Sequence, residues 1–294
     1  MSADSVGIGL TLAALRFSSP LILAALAGMY SERAGLAQIA LEGFMLTGAF
    51  VGAVAAHYSH SGMIGLLFAL IAGMLAAGIF GLMTIRLKAD QIVSGTVINM
   101  LAWGLIPVVS KIIFDSTAQT PTIPIAARNP DWLPLVFASI ASAGTWYVMK
   151  RSRIGLNISF AGEKPDALKA VGINVNLVRW KAILLTGALA GVSGGLLSTA
   201  LSSSYTRNMV AGRGFMALAA LILGKWKPTQ TVLACLLFGV LDVAQLKLQG
   251  TPLPGIGIIP TQLVQMLPYL VTLILIAGVL GESKAPKVLG ATES

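Results

Sequence analysis

The chain has 294 residues, of which 56% are hydrophobic and only 11% charged, whereas a soluble domain carries about 25% charged residues. That leaves too little polar sequence to cover a soluble core with a wetted surface, so a soluble globular protein is excluded and a polytopic membrane protein expected. The net charge of +9 does not point to nucleic acid, because the basic residues lie between apolar runs and no RNA- or DNA-binding signature accompanies them.

A helix needs roughly 20 apolar residues to cross the hydrocarbon. Candidate spans lie, in chain order, at 8–29, 36–56, 63–85, 92–113, 132–149, 182–202, 212–224, 230–246 and 262–281. The first lacks the basic leader of a secretory signal and follows Asp4, so it reads as a retained span. The seventh is short and begins at Arg213. It suits a half-helix within the bundle, since broken backbone is tolerated at depth only where protein or a water-filled cavity surrounds it. The expected fold is all-α: a single transmembrane domain over 1–294, a bundle of about eight or nine spans.

Between the spans, HYSHSG (57–62) reads as a polar turn; His57 and His60 have no nearby Cys or acidic partner, so no metal site is expected. The stretch DSTAQTPTIPIAARNPDW (115–132), with three prolines, and QGTPLPGIGIIP (249–260) read as loops. The tail 282–294 is expected to be flexible. The single cysteine, Cys235, excludes an intrachain disulfide.

Loop charge sets an orientation, because short cytoplasmic loops are enriched in Lys and Arg. The segment 150–181 holds seven basic residues against Glu163 and Asp166 and is expected in the cytoplasm. Alternation then puts SERAG (31–35), RLKAD (86–90) and KWKPT (225–229) on the same side, and 57–62, 114–131 and 247–261 outside. The stretch 203–213 breaks the rule: it falls outside yet carries Arg207 and Arg213. The expected arrangement has the N-terminus outside and the C-terminus inside.

Small residues recur every four positions at Gly48 and Gly52, at Gly73, Ala77 and Gly81, and at Gly187, Gly191 and Gly195. Such ridges let helix backbones approach closely in lipid. Polar side chains at depth are costly and need a partner or a wet path. Glu42, Asn99, Asp242 and Gln245 are of this kind, and for them a polar pathway lining and interhelical hydrogen bonding both stand. No HExxH, GxSxG or Ser–His–Asp grouping is present, and LILGKWKP lacks the first glycine and the Ser or Thr of a phosphate loop. Neither a hydrolase nor an ATPase is expected in this chain, and no catalytic residues and no bound cofactor of its own are expected.

The passage GEKPDALKAVGINV (162–175) carries its own helix punctuation. Pro165 suits a first turn, Asp166 the positive end, Lys169 the negative end and Gly172 the stop. Ala167, Leu168 and Val171 are expected to share one apolar face of a helix of about two turns. Such a helix could lie on anionic lipid or dock a cytoplasmic partner.

AGEKPDALKAVGINV resembles the coupling loop of bacterial ABC importer permeases of the branched-chain amino acid, ribose and nucleoside group. LAALAGMYSERAGLAQIALEGFMLTGAF (23–50), KADQIVSGTVINMLAWGL (88–105) and NMVAGRGFMALAALILGKWKP (208–228) are similar to the nucleoside branch, from which Gln38 and Ala40 depart. The resemblance covers about residues 20–245. It implies a permease subunit in the bacterial cytoplasmic membrane, paired with a second, similar permease, a cytoplasmic ABC ATPase that uses the ATP, and an extracytoplasmic substrate-binding lipoprotein. It further implies that Gly162, Glu163, Pro165, Asp166, Ala167, Leu168, Val171, Gly172 and Ile173 form the ATPase-coupling element. For a nucleoside-like solute, Asn99, Trp103, Phe215 and Glu42 are candidate pathway residues. The alternative is a self-sufficient secondary transporter of a small polar solute, for which an inverted repeat and a central carboxylate pair are missing from the sequence.

Overall fold

The computed structural model describes residues 3–249, 252–253, 257–258, 263–264, 266, 270–271, 274 and 284–290. Ten helices follow one another over the described residues: α1 (Ala3–Arg33), α2 (Leu41–Ser59), α3 (Gly62–Gly81), α4 (Gln91–Phe114), α5 (Leu133–Arg151), α6 (Arg153–Glu163), α7 (Pro165–Ala170), α8 (Val175–Leu196), α9 (Arg213–Leu223) and α10 (Pro228–Leu248). Wider π-turns, Leu82–Arg86 and Leu197–Leu201, extend α3 and α8. Pro252–Leu253 and Gly257–Ile258 pair as a minimal antiparallel ribbon. Among the described residues, five stretches are long and apolar enough to cross a membrane: Thr11–Arg33, Gly62–Arg86, Gln91–Phe114, Val175–Leu201 and Pro228–Leu248. α2 and α5, at 19 residues each, are long enough but less apolar, and α9 has 11 residues.

Local chemistry sets the boundaries. The Asp90 carboxylate accepts from the Ile92 and Val93 N–H groups, capping α4. Ser152 caps α6 and Asn174 caps α8 in the same way. Pro20 lies inside α1 and cannot donate to the Arg16 carbonyl; the Ser19 hydroxyl donates to it instead, at 2.9 Å.

Two of the expected boundaries need correction, and one expected span is largely beyond description. Residues 36–40 are not helical, so the second span begins at Leu41 rather than 36. The loop expected over 150–181 is shorter, because α8 starts at Val175 and carries Arg179 and Lys181, and because α6 occupies 153–163. Most of the ninth expected span, 262–281, lies outside the described residues.

α2, α3 and α8 form the tightly packed centre, as their small residues anticipate. A Cβ on Gly73 would overlap the Gly187 carbonyl, one on Gly48 the Gly191 carbonyl, and one on Gly194 the Met45 carbonyl. Phe44 and Phe80 meet edge to face at 6.3 Å in the same core. At one end of the bundle the loop 115–132 folds against the segment after α8. Arg207 N–H donates to the Ala118 carbonyl (2.7 Å), Thr120 N–H to Tyr205 (3.0 Å), Ile123 N–H to Ser203 (2.7 Å) and Asn129 N–H to Thr199 (3.0 Å). At the other, basic end, a second cluster gathers Tyr30, Ala34, Ile158, Ala161, Leu168, Val175, Val178 and Ala182. Within the tail expected to be flexible, Val288 N–H donates to the Gly162 carbonyl at 3.0 Å.

Candidate functional site

The chain is broken twice at depth, and the two breaks meet. α9 ends near Trp226, whose carbonyl accepts from Arg33 Nη2 at 2.7 Å at the basic end of α1. Eleven residues rise about 16 Å, so the N-terminus of α9 lies about halfway through the roughly 30 Å hydrocarbon layer. Glu42, in the first turn of α2, closes it: Gly212 N–H donates to Oε1 and Gly214 N–H to Oε2, both at 2.8 Å. The carboxyl group, 1% exposed, thereby satisfies backbone donors that a helix start leaves bare. The AGRG sequence makes this approach feasible. Gly212 has φ +83°, and a Cβ on Gly214 would press on Glu42 itself.

The unwound segment 36–40 runs along the first half of α4. Ala37 N–H donates to Gln91 Oε1 at 2.6 Å, Asn99 Nδ2 donates to the Ile39 carbonyl at 2.9 Å, and Gly43 N–H donates to Asn99 Oδ1 at 2.8 Å. Asn99 thus serves the backbone groups that a late helix start leaves unpaired. Arg213, the first residue of α9, lies within electrostatic reach of both Glu42 and Asp242. Its Nη1 donates to the Met209 carbonyl at 3.2 Å, and no ion pair joins it to either carboxyl group among the described residues.

The four pathway candidates separate. Glu42 and Asn99 are buried and fully engaged with backbone. Trp103, 44% exposed, lines a cavity of about 300 Å³ with Leu46, Pro107, Tyr205, Arg207 and Asn208. Phe215 is exposed on α9. Tyr205, Arg207 and Asn208 were not among the candidates; their signal was the unexplained positive charge in 203–213.

At the basic end, Pro165 opens α7, Lys169 Nζ reaches Asp166 Oδ1 at 3.4 Å, and Gly172 stops the helix with φ +77°. The expected apolar face is divided. Leu168 is 4% exposed and packs into the second cluster, whereas Ala167 is bare and Val171 is 70% exposed. Gly162, Pro165 and Ile173 are wholly or partly covered, and Glu163, Asp166 and Gly172 are exposed. The short helix is thus pinned from beneath and presents a mixed outer surface. Beside it, Arg33 donates to Ser159 of α6 at 3.3 Å and to Trp226, and Trp226 Nε1 donates to Glu32 at 2.6 Å. One polar hub joins the ends of α1, α6 and α9.

Residues 10–276 match the family model described as branched-chain amino acid transport system / permease component. The chain is 36% identical to the nucleoside ABC transporter permease protein NupC of Lactococcus lactis, over 94% of this chain and 93% of that one. It is 34% identical to the guanosine ABC transporter permease protein NupQ of Bacillus subtilis, over 95% and 94%. In fold it is similar to a metal-chelate type ABC transporter solved in an inward-facing conformation, with a TM-score of 0.53 and 16% identity over 91% of this chain and 84% of that one.

Proposed function

The chain belongs to the branched-chain amino acid transport system / permease component family, and from that premise we propose that it conducts nucleosides inward as one permease subunit of an ATP-driven importer. ATP hydrolysis resides in a separate cytoplasmic ATPase, and this chain pairs with a second, homologous permease and receives solute from an extracytoplasmic binding lipoprotein. The compartment is the bacterial cytoplasmic membrane, with the basic end inside. The two relatives named for nucleoside and guanosine, each matching over nearly the whole chain, support the substrate class.

The observation that carries the mechanical reading is α7. Leu168 fastens it to the cluster where α6 and α8 pack, while Ala167 and Val171 are left for a partner. A push on α7 is delivered to α6 and α1, then through the Arg33–Trp226 bonds to α9, whose other end Glu42 holds at depth. Closure of the ATPase would thereby bias one arrangement of the two broken segments over another.

The test is uptake by proteoliposomes. The chain with its second permease, ATPase and binding protein should accumulate guanosine only with ATP. Uptake by this chain alone, driven by a proton or sodium gradient, would overturn the proposal.

A further inference from the structure

The described part of the C-terminal tail, 284–290, lies where the push on α7 passes to the rest of the bundle. We propose that it braces the coupling element: residues 286–289 lock the elbow between α6 and α7 against the end of α1, which makes Pro286, Val288 and Leu289 positioning residues for ATP-driven transport. This rests on the importer reading above.

The elbow follows from Pro165. Lys164 closes α6, its N–H donating to the Phe160 carbonyl at 2.8 Å, and its backbone (φ −149°, ψ 73°) then leaves the helical region. Pro165 has no N–H for the Ala161 carbonyl, and the break at Lys164 denies the Gly162 carbonyl the Asp166 N–H that an unbroken helix would give it. A carbonyl left so at a buried residue needs another donor. The tail supplies it: Val288 N–H donates to the Gly162 carbonyl at 3.0 Å.

The seat is shaped for backbone. Gly162 is buried, and Gly35 turns with φ +87°. A Cβ on Gly35 would lie 3.4 Å from Gly162 Cα and 3.5 Å from the Val288 carbonyl oxygen, and one on Gly162 would overlap the Arg33 carbonyl. The end of α1, the elbow and the tail therefore meet at backbone contact distance. The tail is itself folded, since Leu289 N–H donates to the Pro286 carbonyl at 3.1 Å and closes a turn. Pro286 is buried and Leu289 packs on the main core, while Lys284 and Lys287 are exposed. Apolar side chains inward and lysines outward make a docked segment rather than a free end.

Lys164 is the one residue between α6 and α7, and a helix hung on one residue swings under load. With Leu168 held below and the elbow tied by Val288, α7 moves together with α6. Ser159, one turn before the elbow, accepts from Arg33 at 3.3 Å, so the motion reaches α1 only while the elbow stays rigid. Without the brace, ATPase closure bends the elbow and the stroke is lost.

Guanosine uptake and ATP hydrolysis, measured on the same proteoliposomes of the complete transporter, test this. A chain that stops after Ser283, and separately Leu289→Asp, should retain the ATPase on co-purification and hydrolyse ATP within about twofold of wild type. Guanosine moved per ATP should fall about tenfold, the bias that one backbone hydrogen bond with an apolar contact gives a two-state hinge. Leu289→Met keeps the contact and should hold the wild-type ratio. A shortened chain at the wild-type ratio, or one that loses uptake and hydrolysis in equal proportion, overturns the brace and leaves import standing. A wild-type complex that takes up no guanosine overturns import itself. Should the shortened chain fail to assemble, labelling of the full chain in inside-out vesicles decides: Leu289→Cys should react with an impermeant maleimide about tenfold more slowly than Lys287→Cys, and equal rates overturn the docked tail.

Discussion

Glu42 does at mid-depth what a capping side chain does at a surface, with the difference that no water is available to replace it. Both carboxyl oxygens accept backbone N–H groups of the α9 start, and removing them strands two donors in a low-dielectric interior. Glu42→Ala is therefore expected to cost about 2–3 kcal/mol, read as a fall in the thermal midpoint of the detergent-solubilised chain. Glu42→Gln keeps an acceptor and should lose less. Asn99 is a harder case to replace conservatively, because it donates to Ile39 and accepts from Gly43 at once. Asn99→Asp in its ionised form can only accept, so it should destabilise by about 1–3 kcal/mol, whereas a residue that only lined a pathway would change transport without moving the midpoint.

Among the elements, α7 owes its position to one side chain. Because Leu168 is buried and Ala167 and Val171 are not, the substitutions that probe docking differ from those that probe folding. Ala167→Asp with Val171→Asp should abolish co-purification of the ATPase and leave the chain's stability within about 0.5 kcal/mol, as for ordinary surface changes. Leu168→Ala should cost about 2–3 kcal/mol through the cavity it leaves, and should impair docking only as a consequence. The central trio α2, α3 and α8 is set by contact distance. Gly191 abuts Gly48, Ala69 and Gly73, so Gly191→Leu is expected to force the helices apart at a cost of about 3 kcal/mol or more, seen as loss of monodisperse protein on gel filtration.

At the scale of the whole molecule, orientation follows from charge and is open to a clean labelling test. The chain's single cysteine, Cys235, is fully buried, so it contributes little background. A cysteine introduced at Lys164 should react with an impermeant maleimide only after the membrane is opened, and one at Thr117 should react in intact cells. The structure is consistent with that polarity: Arg33, Trp226 and the α6–α7 region gather at one end, and the 115–132 loop folds over 199–207 at the other.

Composition and hydrophobic run length by themselves determined the membrane class, the all-α bundle and most span limits, because a span's length and apolarity are demanded by the bilayer rather than by its neighbours. Glycine spacing identified the close-packed trio, and Pro165, Asp166, Lys169 and Gly172 delimited α7, since ridges and helix punctuation are local properties. Tertiary structure alone decided which polar groups meet. The bonds from Glu42 to α9 span 170 and 172 residues, and local sequence carries no record of so distant a partner. The same holds for the burial of Leu168, which turns inward because α6 and α8 pack over it. It holds most of all for Arg207: its charge broke the topology rule in the sequence, and the fold set it beside Trp103, in a cavity wall built from three separate stretches of chain.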